Sequence, residues 1–370
     1  MKVGCVKEIK KNEFRAGMTP CNVRSYIQEG HQVYLERDAG VGSGFFTKEY
    51  EDAGAVILDS AEDVWNESDM IIKVEEPLEE EFKYFRKGLI LYAYLHLAAN
   101  RPLTDAMIES SMSGVAYETL TERNGTLPLL APMSQIAGRL SIQEGAKYLE
   151  KPLGGLGVIT PGVSGALRAN VMILGGGVVG SNALKIAAGI GAKVSILDLN
   201  LDRLARLDDI YGNRIQTLYS SQAAIEETVS AADLVIGAVL IPGKATPKLI
   251  KRSYLYAMRP NSVIVDVAVN QGGCCETTKV TYHDNPTYVV CGVIHYCVGN
   301  MPGAVPRTST VALTNATLSY GLQIADKGLK RACQDNLVIY SAVNTFGGVC
   351  TCRNVCVGFG LNHIQPEVIL

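Results

Sequence analysis

The amino-acid sequence predicts an α/β protein built from two doubly wound domains, each a largely parallel sheet covered by helices. Two observations predict this class. Short apolar runs alternate with amphipathic helical patterns along the chain, which is typical of parallel sheets. A glycine-rich turn also joins an apolar run to a helical pattern at residues 171–189. The length of 370 residues suits two domains.

Composition and charge exclude several classes of function. The net charge of −3 offers no broad basic surface, so we expect no nucleic-acid partner. Charged residues near the N-terminus argue against a signal sequence, and no apolar run reaches the roughly 18 residues that span a membrane. We therefore expect a cytoplasmic protein that acts on a small molecule.

The ten cysteines are scattered, and in a cytoplasmic protein we expect them to be reduced. Cys350, Cys352 and Cys356 provide three sulfurs close together in the tail. They lack the C-x2-C spacing of common zinc sites. No metal site is predicted.

The first third of the chain alternates strands with helices. A helix is predicted over Pro20–Glu29, where Thr19 is a suitable N-cap and Pro20 suits the first helical position. The buried strands are predicted at Met1–Val6, His31–Glu36, Ala55–Leu58, Met70–Val74 and Leu89–His96.

The second series of elements follows a helical stretch over Pro128–Glu150 and a glycine-rich passage. One long helix, Thr308–Lys330, is expected to return the chain to the first domain. The division is therefore 1–128 with 306–370 for the substrate domain and 129–305 for the inserted domain. The inserted domain has a predicted helix at Ser181–Gly189 and predicted strands at Val171–Leu174, Lys193–Asp198, Leu234–Leu240, Ser262–Val269 and Tyr288–Tyr296.

The glycine-rich turn fits the G-x-G-x-x-G pattern of dinucleotide-binding Rossmann domains. Gly175 allows the tight turn, Gly177 lets the backbone approach a pyrophosphate, and Gly180 permits close packing of helix on strand. The next strand ends at Asp198, about 20 residues downstream, where a carboxylate accepts hydrogen bonds from the ribose hydroxyls. Because that carboxylate would repel a 2′-phosphate, we predict NAD as the cofactor.

Ligands of open parallel sheets bind beyond the carboxyl ends of the strands. His96 follows the apolar run Leu89–Leu95 there, and an imidazole titrates in the range suited to proton transfer. A hydrogen-bonded histidine that merely ends a strand is the alternative. Arg15, in the loop before Thr19, could hold a carboxylate through two parallel hydrogen bonds, or could simply be solvated.

Several segments spread over nearly the whole chain carry a specific pattern: Lys7–Lys10, Asn12–Arg15, Tyr94–Ala99, Leu127–Ser134, Ile173–Gly180, Asp198–Arg203, Ile236–Gly243 and Asn300–Pro306. In these segments the sequence resembles the alanine dehydrogenase family. Transhydrogenase subunits and saccharopine dehydrogenase are weaker matches.

The resemblance implies reversible NAD-dependent oxidation of L-alanine to pyruvate and ammonia by a homohexamer. It implies that Arg15 holds the substrate carboxylate and that His96 is the catalytic acid and base. Beyond the three glycines, the residues expected at the cofactor are Ser134, Val178, Val179, Asp198, Arg203, Ser220, Val239, Leu240, Val267, Lys279, Val298, Asn300 and Met301.

Two positions depart from the family pattern at the substrate. The family has K-V-K-E-P where this sequence has Lys73-Val74-Glu75-Glu76-Pro77, so a substrate-binding lysine is Glu75 here. The family also has a catalytic aspartate where this sequence has Asn270. Lys279 is a lesser change, at a position that is usually arginine. We expect Lys73 to pair with Glu75 rather than to replace the missing cation.

Three interpretations remain open at this point. The protein could be an amino-acid dehydrogenase whose rate or substrate is altered, and Glu75 would then suit a substrate with an extra positive group. It could be an NAD-binding homologue that has lost the alanine reaction and acts as a regulatory or non-redox protein. It could also perform different NAD chemistry in the same cleft.

Overall fold

The computed structural model describes residues 1–240 and 246–364. The chain divides into two compact units, Met1–Met133 with Val305–Leu370 and Ser134–Ala304; the sequence analysis places these divisions at 128/129 and 305/306. Ile241–Gly243, part of the family pattern, lies outside the described residues. None of the described helices is long and apolar enough to cross a membrane.

Strands and helices alternate through most of both units. The strands are β1 (Lys2–Cys5), β2 (Gln32–Glu36), β3 (Val56–Leu58), β4 (Met70–Ile72), β5 (Ile90–Ala93), β6 (Ser113–Ala116), β7 (Asn170–Leu174), β8 (Lys193–Asp198), β9 (Ile215–Tyr219), β10 (Leu234–Gly237), β11 (Val263–Asp266), β12 (Thr287–Val290), β13 (Val293–Tyr296), β14 (Val343–Phe346) and β15 (Val349–Cys350). The helices are α1 (Pro20–Gln28), α2 (Thr47–Asp52), α3 (Ala61–Glu67), α4 (Arg101–Glu109), α5 (Ala131–Tyr148), α6 (Val178–Gly189), α7 (Leu201–Tyr211), α8 (Gln222–Ala231), α9 (Pro306–Lys327), α10 (Leu329–Asp335), α11 (Leu337–Ser341) and α12 (Arg353–Phe359).

The sheet of the first unit has the strand order β15-β14-β6-β5-β4-β1-β2-β3. Strands β1 to β6 are parallel, and β14 and β15 join the edge antiparallel. The strand order reverses between β1 and β4, as a doubly wound sheet requires. Strands β4, β5 and β6 are buried throughout, which explains their apolar sequences.

The sheet of the second unit has the order β12-β13-β11-β10-β7-β8-β9. All its neighbours pair parallel except β12 and β13. Reading β9-β8-β7-β10-β11-β13 gives the Rossmann strand order, with the switch point between β7 and β10. The predicted α/β class is therefore confirmed for both units.

Several predicted elements differ from the structure. The run Tyr288–Tyr296 is not one strand but the hairpin of β12 and β13, because Cys291 and Gly292 both have positive φ (52° and 77°) and turn the chain. The predicted helix Thr308–Lys330 is wrong in its extent, since Gly328 with φ 72° separates α9 from α10. Strand β5 ends at Ala93, three residues before His96.

Candidate functional site

The glycine turn between β7 and α6 has the geometry that a pyrophosphate requires. Gly175 has φ 99°, and a Cβ on Gly180 would lie 1.7 Å from the Gly175 carbonyl oxygen. A Cβ on Gly177 would meet nothing within 4 Å, so this backbone is open to a ligand. Gly177 caps α6 without any side-chain hydrogen bond to the helix. The first N–H groups of the helix therefore lack a capping side chain and suit an anion.

Asp198 ends β8 beside this turn and is buried. Its carboxylate accepts hydrogen bonds from Gly176 N at 2.6 Å, Asn200 N at 2.8 Å and Arg203 Nη1 at 2.9 Å. Burial alone would raise the pKa of Asp198, but the two backbone N–H groups and Arg203 hold it below its ordinary value. The carboxylate is thus anionic at neutral pH, as an acceptor for ribose hydroxyls must be. The turn and this acid together fit NAD.

The other predicted cofactor residues lie at the ends of neighbouring strands or in the helix before the sheet. Ser220 follows β9, and its N–H donates to the Asp198 carbonyl at 3.0 Å. Val298 and Met301 are buried after β13. The remaining positions are Ser134 in α5, Val178 and Val179 at the start of α6, Val239 and Leu240 after β10, Val267 after β11, Asn300 after β13, and Lys279, whose Nζ lies 4.4 Å from the Tyr288 ring centroid.

Asn270 lies in a short 3-10 helix, Val269–Gln271, just after β11. Its Nδ2 donates a short hydrogen bond to the Gly299 carbonyl oxygen in the loop after β13. The side chain thus connects the loops that follow two adjacent strands. A carboxylate at this position could not donate that hydrogen bond.

Arg15 is 2% exposed and lies between carboxylates in the first unit. Its Nε and Nη2 donate to the two oxygens of Glu13 at 2.7 and 2.6 Å. The same Nη2 also donates to Glu75 Oε1 at 2.5 Å, and Nη1 donates to the Met133 sulfur at 3.3 Å. The guanidinium is therefore a buried, doubly paired cation rather than a solvated loop residue.

Glu75 is held by two cations. Its Oε2 accepts from Lys10 Nζ at 2.9 Å, and the same ammonium reaches Glu76 at 2.8 Å. Burial alone would raise the pKa of the Glu75 carboxyl, but Arg15, Lys10 and His96 hold it well below its ordinary value. Burial and the adjacent Glu75 raise the pKa of Glu76 instead. Glu75 is consequently an anion fixed on Arg15.

The expected pairing of Lys73 with Glu75 is wrong. Lys73 is fully buried and its Nζ contacts Glu81 at 2.8 Å and Glu8 at 3.3 Å. Glu8 also accepts from Val74 N at 2.6 Å and from Glu75 N at 3.3 Å. Lys73 therefore stabilises the backbone beneath Glu75 through Glu8 and does not reach the Glu75 side chain.

His96 begins a 3-10 turn and is exposed at the end of the segment after β5. Its φ of 48° is left-handed, a conformation uncommon for residues other than glycine. Glu118 accepts from His96 N at 2.7 Å, and the Tyr94 ring lies nearly parallel to the imidazole, with 5.9 Å between the centroids. The turn thus holds an accessible imidazole beside the acidic residues Glu75 and Glu76, which follow β4.

In the described part of the chain, one group of three side chains could hold a metal ion: single ligand atoms of Glu75, Glu76 and His96 all lie within 4.8 Å of one another. The cations Lys10 and Arg15 already contact these carboxylates. Their positive charges disfavour a metal ion. That the chain has no metal site stays a prediction.

Comparison with known proteins matches both units. Residues 4–137 match the model of the alanine dehydrogenase/PNT N-terminal domain, and residues 141–353 match that of the C-terminal domain. The chain is 53% identical over 372 aligned residues to an alanine dehydrogenase of Geobacillus stearothermophilus, with 100% of each chain covered. It is 51% identical to that of Bacillus subtilis, covering 100% of this chain and 98% of the other.

The chain belongs to the alanine dehydrogenase/PNT family.

Solved structures of the family have the same fold. An L-alanine dehydrogenase structure superposes with a TM-score of 0.95 at 48% identity, covering 97% of this chain and 99% of the other. A transhydrogenase from Sinorhizobium meliloti has the same fold, with a TM-score of 0.82 at 24% identity over 95% of this chain and 99% of the other. Family membership confirms the predicted α/β fold, the NAD cofactor and an oxidoreductase of the CH–NH2 class.

Within this family site, sequence reasoning missed the partners of Arg15 and His96. Glu13 lies in the same segment as Arg15, and Lys10 lies in the segment before it. No pattern signals that Glu13 meets Arg15 or that Lys10 meets Glu75. Glu118 follows β6, and Tyr94 lies two residues before His96. Only the spatial pairing of β5 with β6 brings Glu118 to His96.

Proposed function

We propose that the protein is an NAD-dependent amino-acid dehydrogenase of the alanine dehydrogenase type, in which Glu75 and Asn270 weaken the oxidation of L-alanine. The reaction is the reversible oxidative deamination of an amino acid to a 2-oxo acid and ammonia. Relatives with about 50% identity over the full length are named alanine dehydrogenase, which supports the reaction class.

The observation that carries the proposal is the environment of Arg15. A buried guanidinium beside an accessible imidazole is suited to hold a substrate carboxylate while a proton moves at the adjacent amine. Here the same guanidinium already binds the carboxylate of Glu75 at 2.5 Å. A substrate carboxylate therefore has to compete with Glu75 for this guanidinium.

The expected penalty is large. Two like charges about 4 Å apart repel by about 4 kcal/mol at an effective dielectric constant near 20. At 1.4 kcal/mol per factor of ten, this corresponds to roughly a thousand-fold loss in productive binding of an amino-acid carboxylate.

His96 is the proposed acid and base. Its imidazole is exposed, and its backbone is fixed through Glu118, so its ring nitrogens can exchange a proton with a substrate amine. NAD, when bound, supplies the hydride acceptor. We expect Asn270 to contribute less to the reaction than the aspartate of the family pattern, because an amide neither takes up a proton nor balances an ammonium ion.

A second candidate function is an NAD-binding homologue that has lost the alanine reaction and acts as a regulator, or performs other NAD-linked chemistry. The ion pair between Arg15 and Glu75 favours this candidate as well, because a guanidinium that already binds a carboxylate is consistent with either a weakened or a lost alanine reaction. The complete glycine turn and Asp198 would be retained in either case.

We further propose a homohexamer in the cytoplasm, by resemblance to the family alone. Light scattering of the purified protein tests the oligomer, and a mass of one or two chains would contradict it.

The test of the proposed function has two parts. NADH binding is followed by fluorescence, and formation of NADH from NAD with L-alanine and a panel of basic, acidic and branched amino acids is followed by absorbance. We expect tight NADH binding with slow alanine oxidation that His96→Gln abolishes. Tight NADH binding without turnover of any amino compound would favour the second candidate, and no NADH binding would contradict both.

A further inference from the structure

We propose that Glu75 takes the place of the substrate carboxylate on Arg15, and that the protein oxidises primary amines with no carboxylate on the reacting carbon. This inference rests on the proposed dehydrogenase function and names its substrate class. It makes Glu75 the residue that determines specificity.

The first argument is the geometry of the ion pair. Glu75 Oε1 contacts Arg15 Nη2 at 2.5 Å, while Glu13 binds Nε and Nη2 as a fork. Both hydrogens of Nη2 and the Nε hydrogen are thus directed at carboxylates. Arg15 is 2% and Glu75 is 7% exposed. A third carboxylate would have to displace Glu75 from a buried cation.

The second argument is that Glu75 is fixed from two sides. Lys10 Nζ contacts Oε2, the Glu75 oxygen that does not bind Arg15, at 2.9 Å. The Glu75 carboxylate and the Lys10 ammonium thus resemble the carboxylate and ammonium of an amino acid. Glu8 accepts from Glu75 N at 3.3 Å, and the buried Lys73 holds Glu8. The backbone and both side-chain oxygens are therefore held, and the side chain cannot swing away without losing these bonds.

The third argument concerns the reacting group. Glu75, Glu76 and His96 present acceptor atoms within 4.8 Å of one another. Such a group is suited to an ammonium ion, which has three N–H donors. A substrate amine can thus exchange with Lys10, which is partly exposed, beside the imidazole that receives its proton. The two carboxylates and the imidazole favour binding of a substrate amine and disfavour binding of a substrate carboxylate.

The reaction balances with NAD and water alone. A primary ammonium RR′CH–NH3+ with NAD+ and water gives the ketone RR′C=O, NADH, NH4+ and H+. The carbon–hydrogen bond breaks with transfer of a hydride, which oxidises the carbon by two electrons and reduces NAD+. Loss of a proton from nitrogen forms the carbon–nitrogen double bond, and water then replaces nitrogen.

A binding experiment tests the anchor without turnover. Isothermal titration measures the affinity of pyruvate for the NADH-loaded protein. Glu75→Ala leaves Arg15 paired with Glu13 and frees one donor, so we expect pyruvate to bind at least ten-fold more tightly than to the unaltered protein. Glu79→Ala is the control: it removes an exposed carboxylate four residues further along the chain, and pyruvate affinity should stay within two-fold. Equal affinity in all three proteins would overturn the inference.

A turnover experiment tests the substrate class. 2-Aminopropane is alanine with a methyl group in place of the carboxylate, and we expect its kcat/KM to exceed that of L-alanine at least ten-fold. Glu75→Ala should reverse this preference. Faster oxidation of alanine by the unaltered protein would overturn the inference and leave the proposed function intact. Turnover of neither compound by the unaltered protein, while Glu75→Lys with Asn270→Asp oxidises alanine, would overturn both.

Discussion

The two units of the chain differ in how far they keep the family pattern. In the second unit the glycine turn, Asp198 and Arg203 match it and form one hydrogen-bonded cluster, and the departures at positions 270 and 279 lie outside this cluster. In the first unit the strands and Arg15 are retained, but Glu75 replaces a cation and binds Arg15. Both units have buried, apolar, parallel strands at the centre of their sheets. Charge at a strand end can therefore change the chemistry without changing the fold.

The largest effect is expected from restoring the family residues at positions 75 and 270. Glu75→Lys combined with Asn270→Asp replaces repulsion of the substrate carboxylate with attraction. We expect kcat/KM for L-alanine to rise roughly a thousand-fold, from about 4 kcal/mol of altered Coulomb energy. The measurement is NADH absorbance. Exposed Glu79→Lys is the control for the charge reversal at position 75, and it should leave the rate unchanged. An unchanged rate in the double variant would show that these residues are not the obstacle.

The second prediction perturbs the retained unit. Gly180→Ala places a Cβ 1.7 Å from the Gly175 carbonyl oxygen, which forces the turn open, so NADH affinity should fall about a hundred-fold and stability should fall as well. Gly189→Ala, in the same helix, meets nothing within 4 Å and should stabilise the protein by about 0.5–1 kcal/mol.

Gly177 separates ligand binding from folding. A Cβ there also meets nothing within 4 Å, so Gly177→Ala should weaken NADH binding without lowering the melting temperature. Fluorescence titration and thermal unfolding measure the two effects. A normal NADH affinity in both Gly177→Ala and Gly180→Ala would place the pyrophosphate elsewhere.

The third prediction concerns the choice of cofactor. Asp198→Ala removes the acceptor for the ribose hydroxyls and releases Arg203 from its 2.9 Å ion pair. We expect NADH affinity to fall about ten-fold and NADPH affinity to rise, because the freed guanidinium can bind a 2′-phosphate. Exposed Asp202→Ala, in the first turn of α7, is the control and should alter neither affinity.

The smallest effect is a pH dependence in the first unit. Burial raises the pKa of Glu8 to about 7, so its contribution to stability is complete below its ordinary pKa and is lost as the pH rises through about 7. Glu8→Gln cannot ionise, so its unfolding free energy should change by about 1 kcal/mol less between about pH 6 and pH 7. Chemical denaturation measures this. Exposed Glu29→Gln should behave as the unaltered protein, and a Glu8→Gln profile that does the same would contradict the effect.

The same division explains what could be predicted from sequence. The predicted cofactor site is local: strand, turn, helix and acid follow one another within about 30 residues, a spacing that defines a known geometry. The predicted substrate site is not, since Lys10, Arg15 and Glu75 meet only when β4 lies beside β1 in the sheet. The sequence predicted Arg15, Glu75 and His96 as site residues but not their mutual contacts, and it assigned Lys73 the wrong partner.

Elements with glycine or left-handed residues were the hardest to delimit. The turn at Cys291 and Gly292 and the break at Gly328 each interrupt a continuous apolar or helical pattern. Strands β6, β9, β14 and β15 were not predicted. Strand β15 has only two residues, too few to show periodicity, and β14 pairs with β6, more than 200 residues away.

The hydrogen bond from Ala16 N to Thr310 Oγ1, at 3.0 Å, has a consequence for synthesis of the chain. Thr310 also contacts Ser43 at 2.7 Å, so α9 supports the loop that carries Arg15. On the ribosome, the continuous residues 134–304 emerge in full before this helix does. The nascent chain can therefore acquire its cofactor-binding unit early, whereas the loop of Arg15 gains its support only once translation has passed residue 310.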